Sequence, residues 1–201
     1  MPIAPGTYPI GPEHGALRLR TSREGVAAKV GHDLLIEFGR WSGLIVVADP
    51  QGSPGGMRVE VDIDLGSMAI LEGNGGAVGI SDHDRREITA TAHLLLSVDQ
   101  FPTAHFASAP VLVSSVADDV AIDGTLTLRG RSEPVTVTLT CTGERGWHGT
   151  ATVSQGAFGI KPYRAFFGAL RLADSVGVEV TVNLDAASEA SGHGASTTID
   201  S

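Results

Sequence analysis

Val120–Cys141, VAIDGTLTLRGRSEPVTVTLTC, alternates apolar and polar residues along most of its length. Val120, Ile122, Gly124, Leu126 and Leu128 fall on one parity, with Asp123, Thr125, Thr127 and Arg129 on the other. After Gly130-Arg-Ser-Glu-Pro134 the alternation resumes with Val135, Val137, Leu139 and Cys141, opposed by three threonines. Period two over both arms marks antiparallel strands with one dry face and one wet face. The five-residue polar connection containing Gly130 predicts a hairpin loop. Pro134 is tolerated at the first position of the second arm, where its missing donor need not fall inside the ladder. A helix would scatter these apolar residues around its circumference, so the rest of the chain has to close a sheet around the dry face.

Outward from this hairpin the chain reads as short alternating runs separated by turn residues. Leu17, Leu19 and Thr21 form one run, and Val26, Ala28 and Val30 another. Leu34, Ile36 and Phe38 share one parity while Trp41, Gly43, Ile45 and Val47 share the other, so the flip near Arg40 predicts a β-bulge or strong bend. Val59, Val61, Ile63 and Leu65 alternate with acidic residues. Further runs cover 104–114, 147–154, 169–173 and 176–184. Four prolines make residues 1–15 an irregular lead, 49–56 is a loop, and GNGGAVG at 73–79 sits in a flexible loop over 71–81.

A helix is predicted from Asp82, as its cap, to about Leu96. Ile88, Ala92 and Leu95, with Thr91 and Leu96, make its apolar face, and Arg85, Arg86 and Glu87 face out. Eight to ten strands and one helix define an all-β fold, a barrel or a sandwich. Residues 1–185 read as a single domain, and 186–201 as a disordered tail.

At 201 residues and net charge −9, the chain can bury a full core but lacks the basic excess of a nucleic-acid or anionic-membrane footprint, and its arginines are dispersed along the sequence. Cys141 is alone, which removes any disulfide framework and suits a buried small hydrophobe. The opening MPIAPGTYPIGPEHG has neither the basic nor the apolar region of a signal peptide, and no apolar run nears the roughly 20 residues of a membrane span. The expectation is a cytoplasmic protein without stable membrane insertion.

Signatures of catalysis are weak. GNGGAVG puts Val78 where a dinucleotide or phosphate loop needs its next glycine, and no Gly-x-Ser-x-Gly elbow occurs. His32-Asp33, Asp82-His83-Asp84, His93 and His105 lack the fixed spacing of metal ligands, so neither metal nor cofactor is expected. Gln155–Gly168 is the densest aromatic stretch. It reads either as a connection sealing the core or as an apolar lip gating a cavity, with Lys161 and Tyr163 as polar anchors.

Several of these pieces together resemble the YceI-like family of bacterial polyisoprenoid-binding proteins. They are Gly6-Thr-Tyr-Pro-Ile10, Gly31-His32-Asp33, Val59–Leu65 with Ser67, Phe101-Pro102, His105-Phe106-Ala-Ser108, Asp123–Val135 and Phe158-Gly-Ile160. The chain departs from the family's common pattern before its helix, where it reads Ser-Asp-His-Asp-Arg-Arg-Glu, with His93-Leu94 later. The resemblance implies a lipocalin-like, extended antiparallel β-barrel of about eight strands, non-catalytic, holding an isoprenoid, quinone-like or fatty lipid, with a possible homodimer.

Inward candidates are then Leu17, Leu19, Val30, Leu34, Ile36, Phe38, Phe106, Leu126, Leu128, Val137 and Leu139, with Phe158, Phe166 and Phe167 of the aromatic stretch. His32 joins Lys161 and Tyr163 as a polar anchor. Alternation reads the same for a filled and a hollow barrel. The competing readings are a filled-barrel, stress-related scaffold and a small-molecule enzyme using His32, Asp33 and Lys161.

Overall fold

The computed structural model describes residues 5–49, 56–76, 78–111, 119–143 and 146–184, and of Phe166 the backbone alone. The expected tail over 186–201 and the end of the 104–114 run lie outside the described residues. In chain order the strands are β1 Gly6–Ile10, β2 Gly15–Arg20, β3 Arg23–Glu24, β4 Asp33–Phe38, β5 Trp41–Val47, β6 Met57–Asp64 and β7 Met68–Asn74. Helix α1, Asp82–Leu96, follows, and then β8 Thr103–Ser108, β9 Asp119–Leu128, β10 Arg131–Cys141, β11 Gly146–Ser154, β12 Arg164–Ala165, β13 Leu170–Leu172 and β14 Ser175–Asn183. Eleven strands form one sheet in the order β1-β5-β6-β8-β9-β10-β11-β14-β2-β4-β7, and β12-β13-β3 form a small second sheet. The large sheet is antiparallel throughout and curls into a half-barrel, so the all-β, barrel-like class stands with eleven strands rather than about eight.

The parity flip at Arg40 is the corner that curls the sheet. β4 and β5 are consecutive in sequence yet sit near opposite ends of the strand order, and so do β7 and β6. Because β4 pairs with β7 and β5 with β6, these four strands make one long antiparallel pair bent at Gly39-Arg40 and Leu65–Ser67. Its two halves belong to the two ends of the sheet. Phe38 and Trp41, of opposite parity, are therefore both buried. Polar contacts clamp the bend: Gly39 N donates to Ser67 O at 3.2 Å, Arg40 N to Ser67 Oγ at 3.0 Å, and Arg40 Nε to Asp64 Oδ2 at 2.8 Å. The hydrogen bond from Arg40 holds the Asp64 carboxyl below its ordinary range.

The β9–β10 hairpin has the predicted faces, Val135 opposite Gly124, Val137 opposite Ile122 and Leu139 opposite Val120. Its loop is shorter than expected. Arg131 pairs with Leu128, leaving Arg129 and Gly130, both at positive φ (52° and 71°), as a two-residue turn matched to the strand twist. Glycine takes that conformation without strain, and the Arg129 guanidinium is held by the Gly159 carbonyl and Ser97 Oγ. Pro134 lies inside β10, but β11 pairs with β10 only from Thr138 onward, so the proline occupies a locally free edge.

Three readings are corrected. Residues 6–10 form β1 despite Pro9, because β1 is the outermost strand and its edge needs no donor there. Residues 68–74 form β7, which takes in the first two positions of GNGGAVG. The 26–30 run is a turn and a 3-10 helix over Ala28–Val30, with Gly31 N bonded to Ala28 O.

The helix lies where expected, but Ser81 is its cap. Ser81 Oγ accepts from Asp84 N at 3.2 Å while Asp84 Oδ2 accepts from Ser81 N at 2.8 Å, a reciprocal capping box. Those hydrogen bonds from Ser81 hold the Asp84 carboxyl below its ordinary range. Arg85 does not face out: its guanidinium binds the Ile70 and Leu71 carbonyls of β7, where the β4–β7 register shifts, and so ties α1 to the last strand. Cys141 is only partly buried, and its thiol donates to Gly143 O at 2.9 Å.

Candidate binding cavity

The dry face of the sheet is filled at one end and hollow at the other. Along β9, Ile122 is 2 % exposed within the packed core, while Leu126 and Leu128 face a cavity. The same division recurs along β6, with Met57 packed and Val61 and Ile63 on the wall, and along β14, with Val182 packed and Val180, Val178 and Val176 on the wall. The cavity measures about 730 Å³ and its lining is mostly aliphatic. Helix α1 turns its apolar face onto it through Ile88, Thr91, Ala92, Leu95 and Leu96, which explains why an amphipathic helix carries no fully buried residue. Small wall residues, Gly149, Ala151, Ala92 and Ala104, leave the space unfilled. Gly124 has a related purpose: a Cβ there would come within 2.4 Å of the Phe106 ring, which lies over it.

Polar groups gather at the mouth, marked by the exposed wall residues Val30, Val78 and Tyr163. Arg23 spans the rim, donating to Gly31 O at 2.6 Å and Asn74 O at 2.8 Å, with its backbone N on Asp33 Oδ1 at 2.8 Å. His32 Nε2 donates to the Val78 carbonyl at 2.8 Å, which ties together two residues of the cavity wall. Asp84, Glu87, Gln155 and Arg171 complete this rim. The arrangement can take an apolar chain lengthwise and leave a polar end group among hydrogen-bonding partners.

Most of the candidates read from the sequence line this space. Leu17, Leu19, Val30, Leu34, Ile36, Phe38, Phe106, Leu126, Leu128 and Val137 are on its wall, as are His32 and Tyr163. The others are placed elsewhere. Leu139 packs against the core at the filled end. Phe158, 2 % exposed, is on the 3-10 turn Gly156–Phe158 packed against β10 and does not line the cavity. Phe167 is fully exposed, and Lys161 is exposed and off the wall. The side chain of Phe166 lies outside the described residues.

Wall residues that the sequence reading did not single out are Val61, Ile63, Val176, Val178 and Val180. Their alternation was visible, but nothing in it told wall from core. The histidines stay apart: His105 pairs with Asp62, His83 with Glu87 and His32 with Val78. Among the described residues no group of three or more His, Cys, Asp or Glu is placed to hold a metal ion, and no helix is long and apolar enough to cross a membrane.

Fold and cavity define a class, a half-barrel with an apolar lumen covered by one helix. The chain belongs to the YceI-like family: the YceI-like domain matches residues 8–188. No curated protein matches it. Solved structures share the fold at low identity. Burkholderia cenocepacia BcnA is 16% identical with a TM-score of 0.58, covering 83% of this chain and 94% of that one. A polyisoprenoid binding domain from Saccharophagus degradans, implicated in plant cell wall breakdown, is 11% identical with a TM-score of 0.54, covering 89% and 97%. The Campylobacter jejuni YCEI protein is 14% identical with a TM-score of 0.50, covering 73% and 81%.

Proposed function

We propose that this chain, acting as a single domain over residues 1–185, binds a long apolar amphiphile in its lumen without transforming it. The ligand class is an isoprenoid, an isoprenoid quinone or a fatty lipid. The observation that carries the proposal is the cavity of about 730 Å³ within a sheet otherwise packed to a dry core. That volume falls within the roughly 300–1,000 Å³ of small-molecule sites. Each buried methylene contributes about 0.8 kcal/mol, so a ten-carbon segment supplies about 8 kcal/mol before association costs. Association costs of at least about 4 kcal/mol come off that figure, so micromolar affinity, about 8 kcal/mol net, calls for a longer buried segment of roughly 15 carbons. Polyisoprenoid binding by the Saccharophagus degradans relative agrees with this ligand class.

The hollow half weighs against a purely filled scaffold. The enzyme reading is weakened by its own residues: His32 is committed to Val78 O, Asp33 accepts from Arg23, and Lys161 is off the cavity wall. Carriage of the lipid, a cytoplasmic address and a homodimer are finer parts of the same proposal. Cell fractionation and the sedimentation mass would each decide one of them.

The test is native mass spectrometry of the purified chain, then of its organic extract, with displacement of a fluorescent apolar probe as the second arm. A released isoprenoid or acyl species, or displacement by one, is expected. A clean mass together with a lumen that takes up no probe refutes lipid binding.

A further inference from the structure

The basic residues are dispersed in sequence but the fold collects several of them. β13 pairs with β3 and with β12, and Ala27 N donates to Ala169 O at 3.0 Å, so the turns at 25–30 and 165–170 lie side by side next to the cavity mouth. Three features of this lip are costly to the folded chain and give its core nothing. Val26, 94 % exposed, and the fully exposed Phe167 hold large apolar side chains in water, with exposed Val30 and Tyr163 beside them. Phe167 also sits at φ 56°, ψ 30°, a left-handed conformation that strains a bulky residue. Arg164 lies directly opposite Arg171 across the β12–β13 pair, a like-charge arrangement that opposes pairing.

Charge at the lip runs against the rest of the molecule. Residues 23–33 and 161–174 carry Arg23, Lys29, Lys161, Arg164 and Arg171 against Glu24, Asp33 and Asp174, in a chain whose net charge is −9. The three carboxylates are all engaged: Glu24 with Arg171 at 3.0 Å, Asp33 with Arg23, and Asp174 with Ser154 and Gly156 N. Lys29, Lys161 and Arg164 have no ion-pair partner among the described residues. Asp84 and Glu87 of α1 border the same mouth, so the excess of basic residues belongs to segments 23–33 and 161–174 and not to α1.

We infer that this lip docks the protein on an anionic lipid bilayer, with Val26 and Phe167 entering the interface and Lys29, Lys161 and Arg164 meeting lipid phosphates. Apolar side chains flanked by unpaired cations are what interfacial binding requires, and an anionic surface also relieves the Arg164–Arg171 repulsion. The lip borders the mouth, so docking would present the lumen to the bilayer. That consequence rests on the lipid-binding proposal, whereas docking itself does not.

The experiment is flotation of the full chain with vesicles of phosphatidylcholine alone and of phosphatidylcholine mixed with phosphatidylglycerol, at low and at physiological salt. Binding to the anionic vesicles alone, weakened by salt, is expected. Lys29→Gln and Arg164→Gln should each weaken it about five-fold. Phe167→Gly should abolish it without lowering the thermal midpoint, because glycine accepts the left-handed backbone. All three variants should keep wild-type displacement of the apolar probe in the lumen. Wild-type protein that ignores anionic vesicles, or variants that float as well as wild type, overturns the inference. A dimer dissolved by Phe167→Gly, with no vesicle binding, would assign the lip to contact between copies and overturn it equally. Failure of lumen lipid binding alone leaves the flotation result standing.

Discussion

Replacing Ile122 and Leu126 by alanine, one at a time, tests whether the dry face is filled at one end and hollow at the other. Both residues lie on the same face of β9, four positions apart. Ile122 is 2 % exposed and part of the buried core cluster, so its removal opens a new cavity and costs about 2–5 kcal/mol. Leu126 already faces empty space and forfeits fewer contacts, so its removal costs about 1–2 kcal/mol. Urea unfolding followed by the fluorescence of Trp41 and Trp147 measures both. A lumen ligand at a hundred times its Kd adds about 2.7 kcal/mol to wild type. That increment should survive Ile122→Ala and shrink in Leu126→Ala. Equal costs and equal ligand increments would refute the division, since they would mean that both positions are packed alike.

Ala151→Trp projects an indole into the lumen and should abolish probe uptake while changing stability by no more than about 1–3 kcal/mol; probe titration beside urea unfolding checks it. Ser81→Ala removes the helix cap and should cost about 1 kcal/mol, read as faster amide exchange over residues 82–86 and weaker probe binding. The Asp84 carboxyl, lowered by its hydrogen bonds to Ser81, contributes stability that is complete above its ordinary value of 3.8 and lost as pH falls through the lowered folded value. Exchange at the start of α1 should therefore quicken below that range in wild type. In Asp84→Asn it should be fast already at neutral pH, and an unchanged profile there would contradict the capping box.

Much of the strand pattern was legible because a half-buried strand must alternate. The β9–β10 faces, the break at Arg40 and the apolar stripe of α1 all follow from local periodicity. The misreadings share a cause in partners that sequence does not name. Pro9 looked like a strand breaker until β1 proved to be an edge, and the glycines after Glu72 hid β7, whose pairing with β4 depends on the bent antiparallel pair. Arg129 looked like a strand residue and instead supplies half of a two-residue turn. Phe158 and Phe167 looked alike in one aromatic stretch, yet one is buried and the other fully exposed.

The residues alone settle which side chain of each strand faces inward, since period two is a property of the extended backbone. Whether an inward side chain meets another side chain or an empty lumen depends on how far the facing strands stand apart, and the corner at Gly39-Arg40 and the position of α1 set that distance. Charge behaves likewise. Glu24 and Arg164 are 140 positions apart in the chain and come to flank Arg171 because β13 bridges β3 and β12. Faces are local and so can be read from the chain, whereas volumes and patches arise between distant segments and exist only once the sheet has curled.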